Sequence, residues 1–75
     1  MADADSVRLE IAFDGGQIMG AVATSAGADE LERVLAAGND ETYVLDASDG
    51  RYTIALRRIV WVKRYARESR VGFGI

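Results

Sequence analysis

In Thr42-Tyr43-Val44-Leu45-Asp46-Ala47-Ser48-Asp49-Gly50-Arg51-Tyr52-Thr53-Ile54-Ala55-Leu56, large apolar residues recur at every second position on either side of Asp49-Gly50. Such alternation marks strands with one buried face, and Asp-Gly between two of them is a strong hairpin signal. With Asp49-Gly50 as a two-residue type I′ loop, Ser48 faces Arg51, Ala47 faces Tyr52, Leu45 faces Ile54 and Tyr43 faces Leu56. Tyr43, Leu45, Tyr52, Ile54 and Leu56 then share one face. A slip of one residue would divide them between both faces, so turn and pattern agree on a hairpin of 42–47 with 51–56.

Upstream, Ser6 to Phe13 alternates in the same way, with Val7, Leu9, Ile11 and Phe13 on one side and Arg8, Glu10 and Ala12 on the other. Asp14-Gly15-Gly16 offers the positive-φ positions of a tight turn, and residues 17–24 continue as a second, antiparallel strand with Ile18 and Val22 two pleats apart. Gly20 within it suggests a bulge or a close approach. Between Ser25 and Gly38 the period changes to three and four. Ala28, Leu31, Val34 and Leu35 form one stripe of a helix of about ten residues, too short to stand without the sheet. Asp29 with Glu32, or Gly27 with Glu30, is the expected cap, and Gly38 the left-handed stop.

Downstream, Ile59 to Tyr65 is apolar on both faces, Val60 and Val62 pointing one way and Ile59, Trp61 and Tyr65 the other. A strand of that kind reads as central, with one face on the core and the other against a second layer or a partner. Val71, Phe73 and Ile75 alternate with Gly72 and Gly74 as a flat C-terminal strand that invites edge pairing. The expected fold is therefore α+β: a small twisted antiparallel sheet or partly open barrel of about five strands, with one short helix after the second strand (β-β-α-β-β-β). Residues 1–5 are expected to be disordered and 6–75 to form one small domain.

The net charge of −3 is unevenly spread. Residues 1–56 carry three basic side chains against eleven acidic ones, whereas residues 57–70 carry Arg57, Arg58, Lys63, Arg64, Arg67 and Arg70 against Glu68 alone. An acidic body with one basic strip suggests charge-complementary association or polyanion binding. At 75 residues with no Cys and no His, disulfides and the commonest metal ligands are excluded as supports for a small core, and self-association is the remaining one. The acidic start Met1-Ala2-Asp3-Ala4-Asp5 does not read as a signal peptide, and no apolar run reaches the ~20 residues of a membrane span. The expected setting is cytoplasmic, without membrane contact.

The layout, with Arg58-Ile59-Val60-Trp61-Val62-Lys63 and the closing Arg70-Val71-Gly72-Phe73-Gly74, resembles a family of short actinobacterial proteins of unknown function. Their members close with a similar Arg-Ile-x-aromatic-Val strand and Arg-Val-Gly-Phe-Gly tail. The resemblance implies a fold and a host lineage, and no activity.

Chemical motifs point away from catalysis. Without His or Cys, the usual general base and thiol nucleophile are missing. Gly15-Gly16 and Gly72-Phe73-Gly74 match neither phosphate-binding glycine motif, and Asp46 to Arg57 fails the calcium-loop pattern at Arg51 and Arg57. No catalytic, cofactor or metal residue is assigned. Two non-enzymatic functions remain. In the first, the chain associates with itself or another protein through Ile59, Trp61, Tyr65, Val71, Phe73 and Ile75. In the alternative, it binds RNA or single-stranded nucleic acid, with Trp61 and Tyr65 stacking bases and Arg57, Lys63, Arg64, Arg67 and Arg70 neutralising phosphates.

Overall fold

The computed structural model describes residues 5–39 and 41–66, and all that follows concerns those residues. The expected C-terminal strand with Val71, Phe73 and Ile75, and the cations Arg67 and Arg70, lie outside them. In chain order come β1 (Ser6–Phe13), β2 (Ile18–Thr24), α1 (Ser25–Ala37), β3 (Thr42–Ala47), β4 (Gly50–Ala55), a 3-10 turn (Leu56–Arg58) and β5 (Ile59–Arg64). The five strands form one antiparallel sheet in the order β4-β3-β2-β1-β5. The layout is the expected α+β one, as an open sheet and not a barrel.

The first hairpin forms as its glycines require. Phe13 N–H donates to Gln17 O at 2.8 Å and Gly16 N–H to Phe13 O at 3.1 Å, with φ at Gly15 and Gly16 of 94° and 95°. A side chain would be strained in either conformation. In β2 the inward residues are Met19, Ala21 and Ala23, while Ile18 and Val22 face outward at 58% and 38% exposure. The small inward alanines lie across from Leu9 and Val7, which leaves room for α1 to approach the sheet.

The α1 stripe is the expected one: Ala28, Leu31 and Val34 are buried and Leu35 packs beside them. The helix is longer than the sequence suggested, at 13 residues, and its cap is different. Thr24 takes the N-cap position, its Oγ1 accepting from Gly27 N–H at 2.9 Å, while Asp29 and Glu32 turn instead to Arg64. A threonine one residue before the helix holds its oxygen closer to the free N–H groups than a carboxylate a turn later does. Gly38 ends the helix at φ 70°, its N–H bonded to Val34 O.

The β3–β4 hairpin keeps its expected faces and changes its partners. Ala47 pairs with Gly50, Leu45 with Tyr52 and Tyr43 with Ile54, so the loop is Ser48-Asp49. A type I′ loop requires positive φ at both central residues. No described residue other than glycine has positive φ, and Gly50 adopts it directly after the loop, at 145°. Since side chains repeat every two residues, displacing each partner by two leaves every residue on its side. Leu45 and Ile54 are buried, and Val44 points outward.

The last strand departs furthest from expectation. Among the described residues β5 pairs with β1 alone and stands at an edge of the sheet, not at its centre. Opposite it, Ala12 pairs with Trp61 and Phe13 with Ile59, which leaves Val60 as an extra residue in a β-bulge. The bulge reverses the alternation at one point. Ile59 and Val62 both pack against the core, and Val60 is pushed into solvent at 62% exposure. Trp61 faces outward as expected.

Leu9, Ile11, Leu31 and Leu45 are wholly buried and form the centre of the core between α1 and the sheet. Each contributes roughly 1.5–3 kcal/mol of apolar burial.

Candidate interaction surface on the outer sheet face

α1 covers one face of the sheet, and among the described residues no element lies on the other. Across β2, β1 and β5 this outer face is built in rows fixed by strand register. Ile18, Ala12 and Trp61 form the first row, and Gly20, Glu10 and Lys63 the second. In the third, Val22 and Arg8 are in register, and Tyr65 N–H donates to Arg8 O at 2.9 Å. Ala12, between Ile18 and Trp61 in the first row, is only 6% exposed although it faces outward. Trp61 itself stays 43% exposed. Val44 adds a further apolar residue on β3.

The second and third rows together gather charge around a ring. The Arg8 guanidinium stands 5.0 Å and the Lys63 ammonium 4.4 Å from the centroid of Tyr65. Both distances lie within the range of cation–π attraction.

The basic strip does not form one surface. Arg57 lies 3.8 Å from Glu41, and Arg58 reaches Asp14 at 3.2 Å. Arg64, opposite Leu9 and so on the helix side of the sheet, pairs with Asp29 at 2.7 Å and Glu32 at 3.5 Å and donates to Ser25 Oγ at 3.2 Å. The Asp29 hydrogen bond raises the pKa of Arg64 further above its ordinary value. Arg33 pairs with Glu30, whose carboxyl it holds below the ordinary value, and Arg51 with Asp46. Among the described residues Arg8 and Lys63 take part in no such pair, and both stand on the outer face.

Sequence reasoning therefore singled out Ile59, Trp61 and Tyr65 together, and the structure separates them: Trp61 and Tyr65 belong to the outer face, Ile59 to the core. Of the polyanion candidates described, Lys63 alone lies beside the aromatics, while Arg57 and Arg64 are turned to carboxylates elsewhere. Arg8, Ile18 and Val22 were missed as surface residues. Arg8 was legible on the polar side of β1, but its neighbours become known only when β5 is placed beside β1.

Where β3 leaves β2, a shallow depression of about 380 Å³ opens between Arg8, Gly20, Val22, Ser48 and Asp49. A second, of about 180 Å³, lies between the end of α1 and the 3-10 turn, against Leu35, Leu56 and Arg57. Among the described residues no three acidic side chains converge as a metal site, and no helix is long and apolar enough to cross a membrane. No family model, curated protein or solved structure matches this chain.

Proposed function

We propose that this chain is a non-enzymatic, cytoplasmic, self-associating module whose contact surface centres on β5 and extends into the segment 71–75. What carries this is the one-sided cover of the sheet. Trp61, Val60, Ile18, Val22 and Val44 remain exposed on or beside a face that α1 does not reach, and β5 is the outermost described strand of the sheet. Exposed apolar surface of this kind marks contact sites. Covering what remains exposed of Trp61, at 43% of its surface, favours association by roughly 2–3 kcal/mol at ~25 cal/mol per Å². The dispersal of Arg57, Arg58 and Arg64 into ion pairs weighs against a nucleic-acid footprint, which needs several free cations along one path.

Light scattering across a concentration series, with and without an RNA pool at low salt, tests the proposal. A dimer or larger assembly is expected, unchanged by RNA and weakened by Trp61→Ala. A monomer at tens of micromolar whose Trp61 emission matches a solvated indole overturns it. Salt-sensitive RNA binding lost in Lys63→Ala would put the alternative in its place.

A further inference from the structure

We propose that the second copy adds to the sheet as a strand antiparallel to β5, about a two-fold axis through Val62. This rests on the self-association proposed above and supplies its geometry. Tyr65 N–H bonds to Arg8 O, and in antiparallel pairs the backbone groups of alternate residues point to opposite edges. Trp61, Lys63 and Tyr65 thus aim their backbone groups at β1. Val62 and Arg64 aim theirs at the opposite edge, where no described strand lies. An edge that no described strand covers is a template for another chain.

Few registers fit. A strand adding there must bring its own outward-aimed residues opposite Val62 and Arg64, so the two-fold sets Trp61, Val62, Lys63 or Arg64 against itself. Centring on Lys63 or Arg64 puts like charges directly opposite, which destabilises a ladder. Centring on Trp61 sets Lys63 across from Ile59 and leaves its charge without a counterpart. Centring on Val62 sets Trp61 of each copy opposite Lys63 of the other, on the outer face, in the closer of the two antiparallel pairings. Each Lys63 ammonium already stands over its own Tyr65. The second copy then brings Trp61 to it as a second ring, and the same contact repeats across the axis. The bulge at Val60 limits the ladder to about five residues of each strand.

The chain has no Cys, so single thiols report the register. With oxidised glutathione as oxidant, Val62→Cys is expected to give at least about tenfold more disulfide-linked dimer than Trp61→Cys or Lys63→Cys. Residue 62 meets its own copy at roughly 5.5 Å between Cα atoms, within disulfide reach. Mixing Trp61→Cys with Lys63→Cys protein should give the mixed disulfide, and since both positions face solvent this arm does not depend on the tolerance of the core side at Val62. Without cross-linking, Trp61→Ala and Lys63→Ala should each weaken the dimer about tenfold. A stable dimer in which Trp61→Cys cross-links as well as Val62→Cys, and the mixture gives no mixed disulfide, overturns this register and leaves self-association standing. A native chain that stays monomeric overturns both.

Discussion

Arg64 Nη1 lies 2.7 Å from Oδ1 of Asp29, and this contact ties the edge strand β5 to the first turns of α1 across 35 residues of sequence. Glu32 and Ser25 hold the same guanidinium. Exposed ion pairs contribute little singly, but here one arginine makes three contacts from a side chain that is 28% exposed. Arg64→Ala is expected to lower the melting temperature by roughly 2–5 °C. The loss should shrink in high salt, and Asp29→Asn should cost less in the Arg64→Ala background than in the native one, as a double-mutant cycle would show.

Gly50 has φ of 145° and nothing within 4 Å of where a Cβ would lie. Space is therefore available and backbone conformation is the obstacle. Gly50→Val should cost about 1–3 kcal/mol, while Ser48→Ala, in the loop itself, should stay within about 0.5 kcal/mol. Urea unfolding of the two variants checks this.

The N-cap of α1 rests on one hydroxyl. Thr24→Ala should cost about 1 kcal/mol and Thr24→Ser much less, because serine supplies the same acceptor to Gly27 N–H. Helical circular dichroism during chemical unfolding separates the two.

At alkaline pH the tyrosines should matter. Burial raises the pKa of Tyr43, with Glu30 and Asp46 adding to it, and the hydrogen bond to Asp49 raises that of Tyr52. A phenol whose pKa is raised by folding stays neutral longer in the native state than in the unfolded chain. Its contribution is complete below the unfolded value of about 10 and is lost as pH rises through it toward the folded value. The melting temperature should fall more steeply between about pH 9 and pH 11 in the native protein than in Tyr43→Phe.

The fold was legible in the sequence where side-chain period alone decides, and illegible where one backbone residue is inserted. Leu45, Tyr43, Ile54 and Leu56 reach their expected face even though the turn lies one residue earlier, since a displacement of two is invisible to a period of two. Ile59 and Val60 exchange places because the bulge adds one residue, to which a period of two is most sensitive. The cap was there to be read: Thr24 directly precedes the helical stripe. The outer face was only half legible. Trp61 was found from its own strand, but Arg8 and Ile18 reach it through strand neighbours more than 40 residues distant in sequence.

β3 joins β2 through the single residue pair Ala23 with Ala47, assisted by Ser48 N–H bonding to Val22 O at 2.8 Å. The sheet is accordingly two plates on one rung: β2-β1-β5, tied along two full ladders, and the hairpin β3–β4, held mainly by the burial of Leu45 and Ile54 beneath α1. Such a joint lets the smaller plate come away as a unit without melting the larger one. Amide hydrogen exchange should then divide the molecule at Ala23. Leu9 and Ile11 exchange only on global unfolding, whereas Leu45, just as deeply buried, exchanges sooner with the rest of its hairpin.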